Sequence, residues 1–228
     1  MPWKDYAMRD EDFEIFIDTF GEATQRVEVP TSSIEKWRGK LPDQLLKYWQ
    51  QEGWCAYANG LFWTVDPDEY EDLLDEWLEN TQLEQLDAFH VIARSAFGNL
   101  YVCGEKTGES ITIASQINKI FALPKELKTK DKKNLDLSIR SFFSFIEPKD
   151  FNPLDESGQP LFERAMVALG SLASDEMYGF EPAIVLGGKM LLENLARVKL
   201  EVHLTILRQL ATPSLPFDHI DIDKLMYP

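Results

Sequence analysis

The chain has 228 residues, 44% hydrophobic and 12% aromatic, enough apolar material for one good core or two modest domains sharing an interface. That composition excludes global disorder, and no apolar run approaches the ~18 residues that would span a bilayer. Formal net charge is −16 and lopsided: residues 1–80 hold 19 acids against 7 bases, whereas residues 81–228 hold 20 against 16. Such a field disfavours direct binding to nucleic acid and speeds the capture of basic partners, although solubility alone also accounts for acidic composition. The opening Met-Pro-Trp-Lys-Asp has no apolar signal core, so the expected compartment is the cytoplasm, with Cys55 and Cys103 as free thiols in strands.

In chain order, Phe13, Phe16, Ile17 and Phe20 fall at i, i+3, i+4 and i+7, one helical stripe capped by Asp10 and ended by Gly21. Val27 to Val29 reads as a short strand. Thr31 or Ser32 offers an N-cap, with Glu35 three residues after Ser32, for a helix carrying Ile34 and Trp37. Pro42 suits the first turn of the next helix, whose face is Leu45, Leu46, Tyr48 and Trp49 and whose end is Gly53. Trp54–Tyr57 and Leu61–Val65 flank Ala58-Asn59-Gly60, a hairpin signal because Asn and Gly tolerate positive φ.

Asp66 before Pro67 predicts an N-cap and a helix running to about Glu79. Tyr70, Leu73, Leu74, Trp77 and Leu78 share one side of it; Asp68, Glu71, Asp72, Asp75, Glu76 and Glu79 share the other. No lysine or arginine interrupts that carboxylate face. Like charges three and four apart each cost a few tenths of a kcal/mol. A solvated surface would tolerate that repulsion; a basic partner would relieve it. These six acids are the candidate partner-binding residues.

Ala88–Ala96, Leu100–Cys103, Ser110–Ala114 and Ile117–Leu123 read as a β-meander. Pro124–Asn134 holds five lysines against two acids and reads as an exposed loop and domain seam. Helices are expected over Asn134–Phe145, Leu161–Leu169 and Leu200–Leu210. Tyr178-Gly-Phe-Glu-Pro, followed by Gly187-Gly188, suggests a tight turn that either closes the core or lines a small pocket.

Catalytic marks are missing. His90, His203 and His219 are far apart, no CxxC is present, and Gly187-Gly188-Lys189 lacks the upstream glycine and following Ser/Thr of a phosphate loop. There is no nucleophile elbow and no calcium-loop spacing. His90 and His203 read as hydrogen-bonded structural residues. No catalytic residue, metal ligand or cofactor is assigned, and the chain is not expected to be an enzyme.

Pro42-x-x-Leu45-x-x-Tyr48-Trp49-x-x-x-Gly53-Trp54, Tyr57-x-x-Gly60-Leu61-Phe62-Trp63, Asp66-Pro67-x-x-Tyr70 and Ala96-Phe97-Gly98-x-Leu100-Tyr101 together resemble the GAD-like domain of bacterial immunity proteins. Gly170-x-Leu172, Glu176-x-Tyr178-Gly179-Phe180-x-Pro182, Leu186-Gly187-Gly188, Asn194-Leu195, Val198 and His203-Leu204 resemble the C-terminal domain that accompanies it. The resemblance implies a cytoplasmic immunity protein that neutralises a type VI secretion DNase effector by blocking its nuclease site. It assigns no contact residues; the Asp66–Glu79 face, joined by Glu11, Glu14 and Asp18, is the acidic surface expected to shield the positive cleft of such a nuclease. The expected fold is α+β: an antiparallel meander sheet with packed helices over residues 1–124, the lysine-rich seam 125–133, and a smaller, more helical domain over 134–228. The rival expectation is a ligand-binding or regulatory module with its pocket at Tyr178–Gly188.

Overall fold

Turn signals in the first half of the chain become connections between neighbouring antiparallel strands. The structure, a computed structural model, describes residues 9–217. Strands β1 (Gln25–Val27), β2 (Trp54–Tyr57), β3 (Phe62–Thr64), β4 (Phe89–Ser95), β5 (Leu100–Gly104), β6 (Gly108–Ala114) and β7 (Lys119–Ala122) lie side by side in chain order. Every neighbouring pair is antiparallel. The fold is therefore α+β with a meander sheet, as expected. At the β2–β3 connection Asn59 and Gly60 take φ of 58° and 92°, and Ala58 joins them at 47°. The indole N–H of Trp63 donates to the Gly60 carbonyl at 2.7 Å and holds the turn.

The helices of this half follow their local signals, with three differences. Helix α1 (Glu11–Phe20) is capped by Asp10, whose carboxylate accepts from the Phe13 amide at 2.9 Å, and Gly21 ends it. Helix α2 (Thr31–Trp37) begins one residue earlier than Thr31 or Ser32 could cap it. Pro30 is the N-cap, its φ of −60° and ψ of 143° supplying an extended entry with no side-chain bond. Helix α3 (Asp43–Glu52) likewise has Pro42 at the cap rather than in the first turn, and Gly53 closes it. A Cβ on Gly53 would lie 2.4 Å from the Val27 carbonyl, so β1 passes where only glycine fits. The third difference is the long acidic helix, which is two pieces. A 3₁₀ turn over Pro67–Tyr70 precedes helix α4 (Glu71–Leu78), because Tyr70 sits at φ −122°, ψ 0°. The first strand, expected over Val27–Val29, is Gln25–Val27.

Phe62 centres the aromatic core. Its ring lies between 5.0 and 6.4 Å from those of Phe16, Phe20, Tyr57, Tyr101, Phe142, Phe143 and Phe151. Tilted and edge-on pairs of this kind add to what area burial contributes. Phe142 and Phe143 come from α5 (Lys132–Phe145), which packs on α1, α3 and β6. The lysine-rich segment before α5 is not simply exposed: Leu127 is buried, and the Lys130 ammonium donates to the carbonyls of Thr107 (2.5 Å) and Glu126 (2.7 Å).

Beyond α5 come α6 (Pro148–Phe151), α7 (Phe162–Leu169), strands β8 (Glu176–Phe180) and β9 (Leu195–Lys199), and α8 (Leu200–Leu210). Tyr178-Gly179-Phe180, read as a turn, is instead strand β8, paired antiparallel with β9. Met177, Tyr178, Gly179 and Phe180 are all buried in extended backbone, and the chain reverses after Phe180. The Tyr178 amide donates to the Ala96 carbonyl at 2.9 Å, and the buried guanidinium of Arg94 donates to the Ser174 carbonyl at 2.7 Å, joining this ribbon to the main sheet.

Candidate functional site: an acidic groove beside α4

Five of the six candidate acids share one feature. A groove of ≈ 820 Å³ is walled on one side by Glu71, Asp72, Asp75, Glu76 and Glu79 of α4 and its C-terminal edge. Glu84, Asp87, Ala88, Phe89 and His90 form the other side, with Leu78 between them. The buried face of α4 (Leu73, Leu74, Trp77 and Leu78) anchors the helix, so its acids have nowhere to turn but outward. Asp68 does not line the groove. It sits on the preceding 3₁₀ turn, 2.6 Å from the Lys36 ammonium, which lies 3.7 Å from Glu71 as well. Asp72, Asp75, Glu76 and Glu79 make no salt bridge among the described residues.

The opposite wall was not read from sequence. Asn80, at φ 62°, ends α4 in the left-handed conformation and swings the following residues back alongside it. An asparagine just past a helix is the one local signal for that reversal. Glu84 accepts from the Asn80 amide at 3.0 Å. Asp87 is a loop clamp: its carboxylate accepts from the amides of Ala88, Lys106 and Thr107 and from the Thr107 hydroxyl. His90 closes one end, its Nε2 3.2 Å from Glu105 and its ring edge-on to Trp37. Burial pushes the His90 pKa below its ordinary value, against the pull of Glu105, so at neutral pH it brings no positive charge to the groove. Nearby Asp66, capping the 3₁₀ turn, is pushed up to about 6 by burial.

The remaining candidates are placed elsewhere. Glu11, Glu14 and Asp18 of α1 do not line the groove. The Tyr178–Gly188 region is filled: a Cβ on Gly179 would meet the His203 ring at 2.6 Å, and one on Gly188 would meet the Pro182 carbonyl at 1.9 Å. Tyr178 is fully buried and its hydroxyl donates to the Gly170 carbonyl at 2.7 Å. His203 has no hydrogen-bond partner among the described residues and serves instead as a packing ring, its pKa lowered by burial. His219 lies outside the described residues. Among those described, no group of three or more His, Cys, Asp or Glu is arranged to hold a metal, and no helix is long and apolar enough to cross a membrane.

Two family models match separate stretches of the chain. Residues 11–117 match the GAD-like domain family, and residues 136–211 match the family described as T6SS immunity protein Tdi1, C-terminal. The second match supports a role as a type VI secretion immunity protein. The crystal structure of Atu4351 from Agrobacterium tumefaciens superposes with a TM-score of 0.77, covering 89% of this chain and 91% of that one at 20% identity. At that identity the likeness is one of fold. No curated protein sequence matches the chain.

Proposed function

We propose that this protein neutralises a cognate secreted nuclease of the DNase type in the cytoplasm of the cell that makes it, and that the α4 groove is the surface that meets the toxin. The GAD-like half (1–124) carries the groove, and the half beyond the lysine-rich segment (134–228) braces it. A nuclease presents a positive, phosphate-accepting surface, and the groove offers the opposite sign at the matching kind of group. The observation that carries the reading is the row Asp72, Asp75, Glu76 and Glu79. These acids repel one another along one helix, and their carboxylates make no salt bridge among the described residues. A basic partner turns that cost into attraction and steers encounter, while apolar contacts at the interface centre hold the complex. The reading gives Asp72, Asp75, Glu76 and Glu79 the direct contacts, with Glu71 and Asp68 partly shielded by Lys36.

The test is co-expression with the candidate effector encoded beside this protein, followed by size-exclusion chromatography and a DNA-degradation assay. A stable complex with suppressed nicking is expected. A folded, active nuclease that ignores the protein would overturn the assignment of that toxin. Replacing Asp72, Asp75 and Glu76 together by lysine is expected to abolish capture; capture with unchanged affinity and unchanged salt dependence would exclude the groove.

A further inference from the structure

Helix α4 is charged the wrong way round at its C-terminal end. The exposed carbonyls there carry the negative pole of the helix dipole, yet Asp75, Glu76 and the capping Glu79 crowd the same turn, with no basic residue in it. A cation is supplied from 129–132 residues away. On α8, the Arg208 Nε donates to the Glu76 carbonyl at 2.9 Å, and its Nη2 donates to the Glu79 carbonyl at 3.1 Å. One planar guanidinium thus spans two carbonyls of the turn that bears three of the groove acids.

Arg208 is itself held. Asn118, in the left-handed conformation between β6 and β7, donates from its amide to the carbonyls of Leu207 and Ala211, both at 2.9 Å, and so caps the end of α8. Leu200, Leu204 and Leu207 bury the inner face of α8, which packs along α4. The connection runs from the main sheet through Asn118 to the end of α8, and from Arg208 to the backbone of Glu76 and Glu79.

We infer that Arg208 is the positioning residue of the acidic wall. The segment that matches the immunity C-terminal family would then govern the aim of a surface in the GAD-like half. This rests on the reading of the groove as the toxin-facing surface. The hydrogen bonds of Arg208 to this turn all go to main-chain carbonyls, so it leaves the Glu76 and Glu79 carboxylates available while fixing where their backbone lies.

The test compares full-length Arg208→Gln and Arg208→Lys with the Asp72/Asp75/Glu76→Lys variant, using the nuclease captured in the co-expression experiment. For Arg208→Gln the dissociation rate is expected to rise about tenfold, as loss of charge-assisted hydrogen bonds to a helix end predicts. The association rate and its salt dependence should not fall, since no acid is removed. Amide exchange over Glu76–Asn80 should quicken by about the same factor, with exchange in α1 unchanged. Arg208→Lys, which keeps the charge but not the fork, should fall between the two and remains informative if the Gln variant folds poorly. Unchanged dissociation in Arg208→Gln, with capture lost in the triple lysine variant, overturns the positioning role alone. Full restoration by lysine overturns it as well, because charge would then suffice. If the triple variant captures the nuclease normally, the groove reading fails and the inference fails with it.

Discussion

Helices α1 and α4 look alike on paper and differ in physical character. Both are short, amphipathic and acidic. In α1 the acids gather at the N-terminal end, where the dipole favours them, and the structure puts several to use. Asp10 caps the helix and accepts from Tyr48 and Gln44, and Asp12 pairs with Arg140 at 2.5 Å. Just past the helix, Glu22 shares Arg9 with buried Glu52. In α4 the acids run to the unfavourable end, and most of their carboxylates make no salt bridge among the described residues. The same composition therefore stabilises one helix and leaves the other in need of a partner.

That contrast can be broken in several ways. The largest effect expected is on toxin capture. Lysine at Asp72, Asp75 and Glu76 should weaken capture about a hundredfold or more at low salt. Lysine at Glu11, Glu14 and Asp18 of α1 should leave it unchanged. Binding kinetics across a salt series read both, and equal losses would mean that net charge, not the groove, attracts the toxin.

A third acid sharpens the comparison because the fold half-buries it with no salt bridge among the described residues. Burial, then repulsion from Glu126, pushes Glu109 up to about 7, with Lys130 opposing. The folded state holds this proton more tightly than the unfolded chain does. Its stabilisation is therefore complete below the ordinary 4.5 and is lost as pH rises through 7. Between pH 4.5 and 8 the group should cost about 3 kcal/mol. Urea unfolding at several pH values should show Glu109→Gln relatively more stable at pH 8 and lacking that part of the slope.

Smaller effects distinguish the two helices directly. Asp10→Ala removes the α1 cap and strands Tyr48 and Gln44, an expected loss of about 1–2 kcal/mol in urea unfolding. Asp72→Asn, Asp75→Asn and Glu76→Gln together should instead leave stability unchanged or raise it by about 0.5 kcal/mol, since they relieve repulsion. A large loss there would show that the α4 acids are structural after all.

Much of this fold is legible in the chain because its signals are local. Periodicity placed α1, α3, α4, α5, α7 and α8; Asp10, Gly21 and Gly53 marked ends of α1 and α3, and Asp66 capped the 3₁₀ turn before α4; Asn59-Gly60 marked the first hairpin. The carboxylate row needed only the 100° step of a helix. Each of these is decided within a few residues by backbone torsion or by which side of an element is apolar. Proline at a cap, the break at Tyr70 and the extended run at Tyr178 were settled instead by what packs around them, since each segment has more than one acceptable local conformation. The groove lies wholly on that second level. Its far wall exists because Asn80 turns the chain back, Lys36 reaches only Asp68 and Glu71 of the acidic row, and its brace exists because Arg208 arrives from α8. Sequence by itself determined which residues are acidic, apolar or fit to turn; only the tertiary structure decided which acids keep a counterion, because that depends on groups brought together across more than a hundred residues of chain.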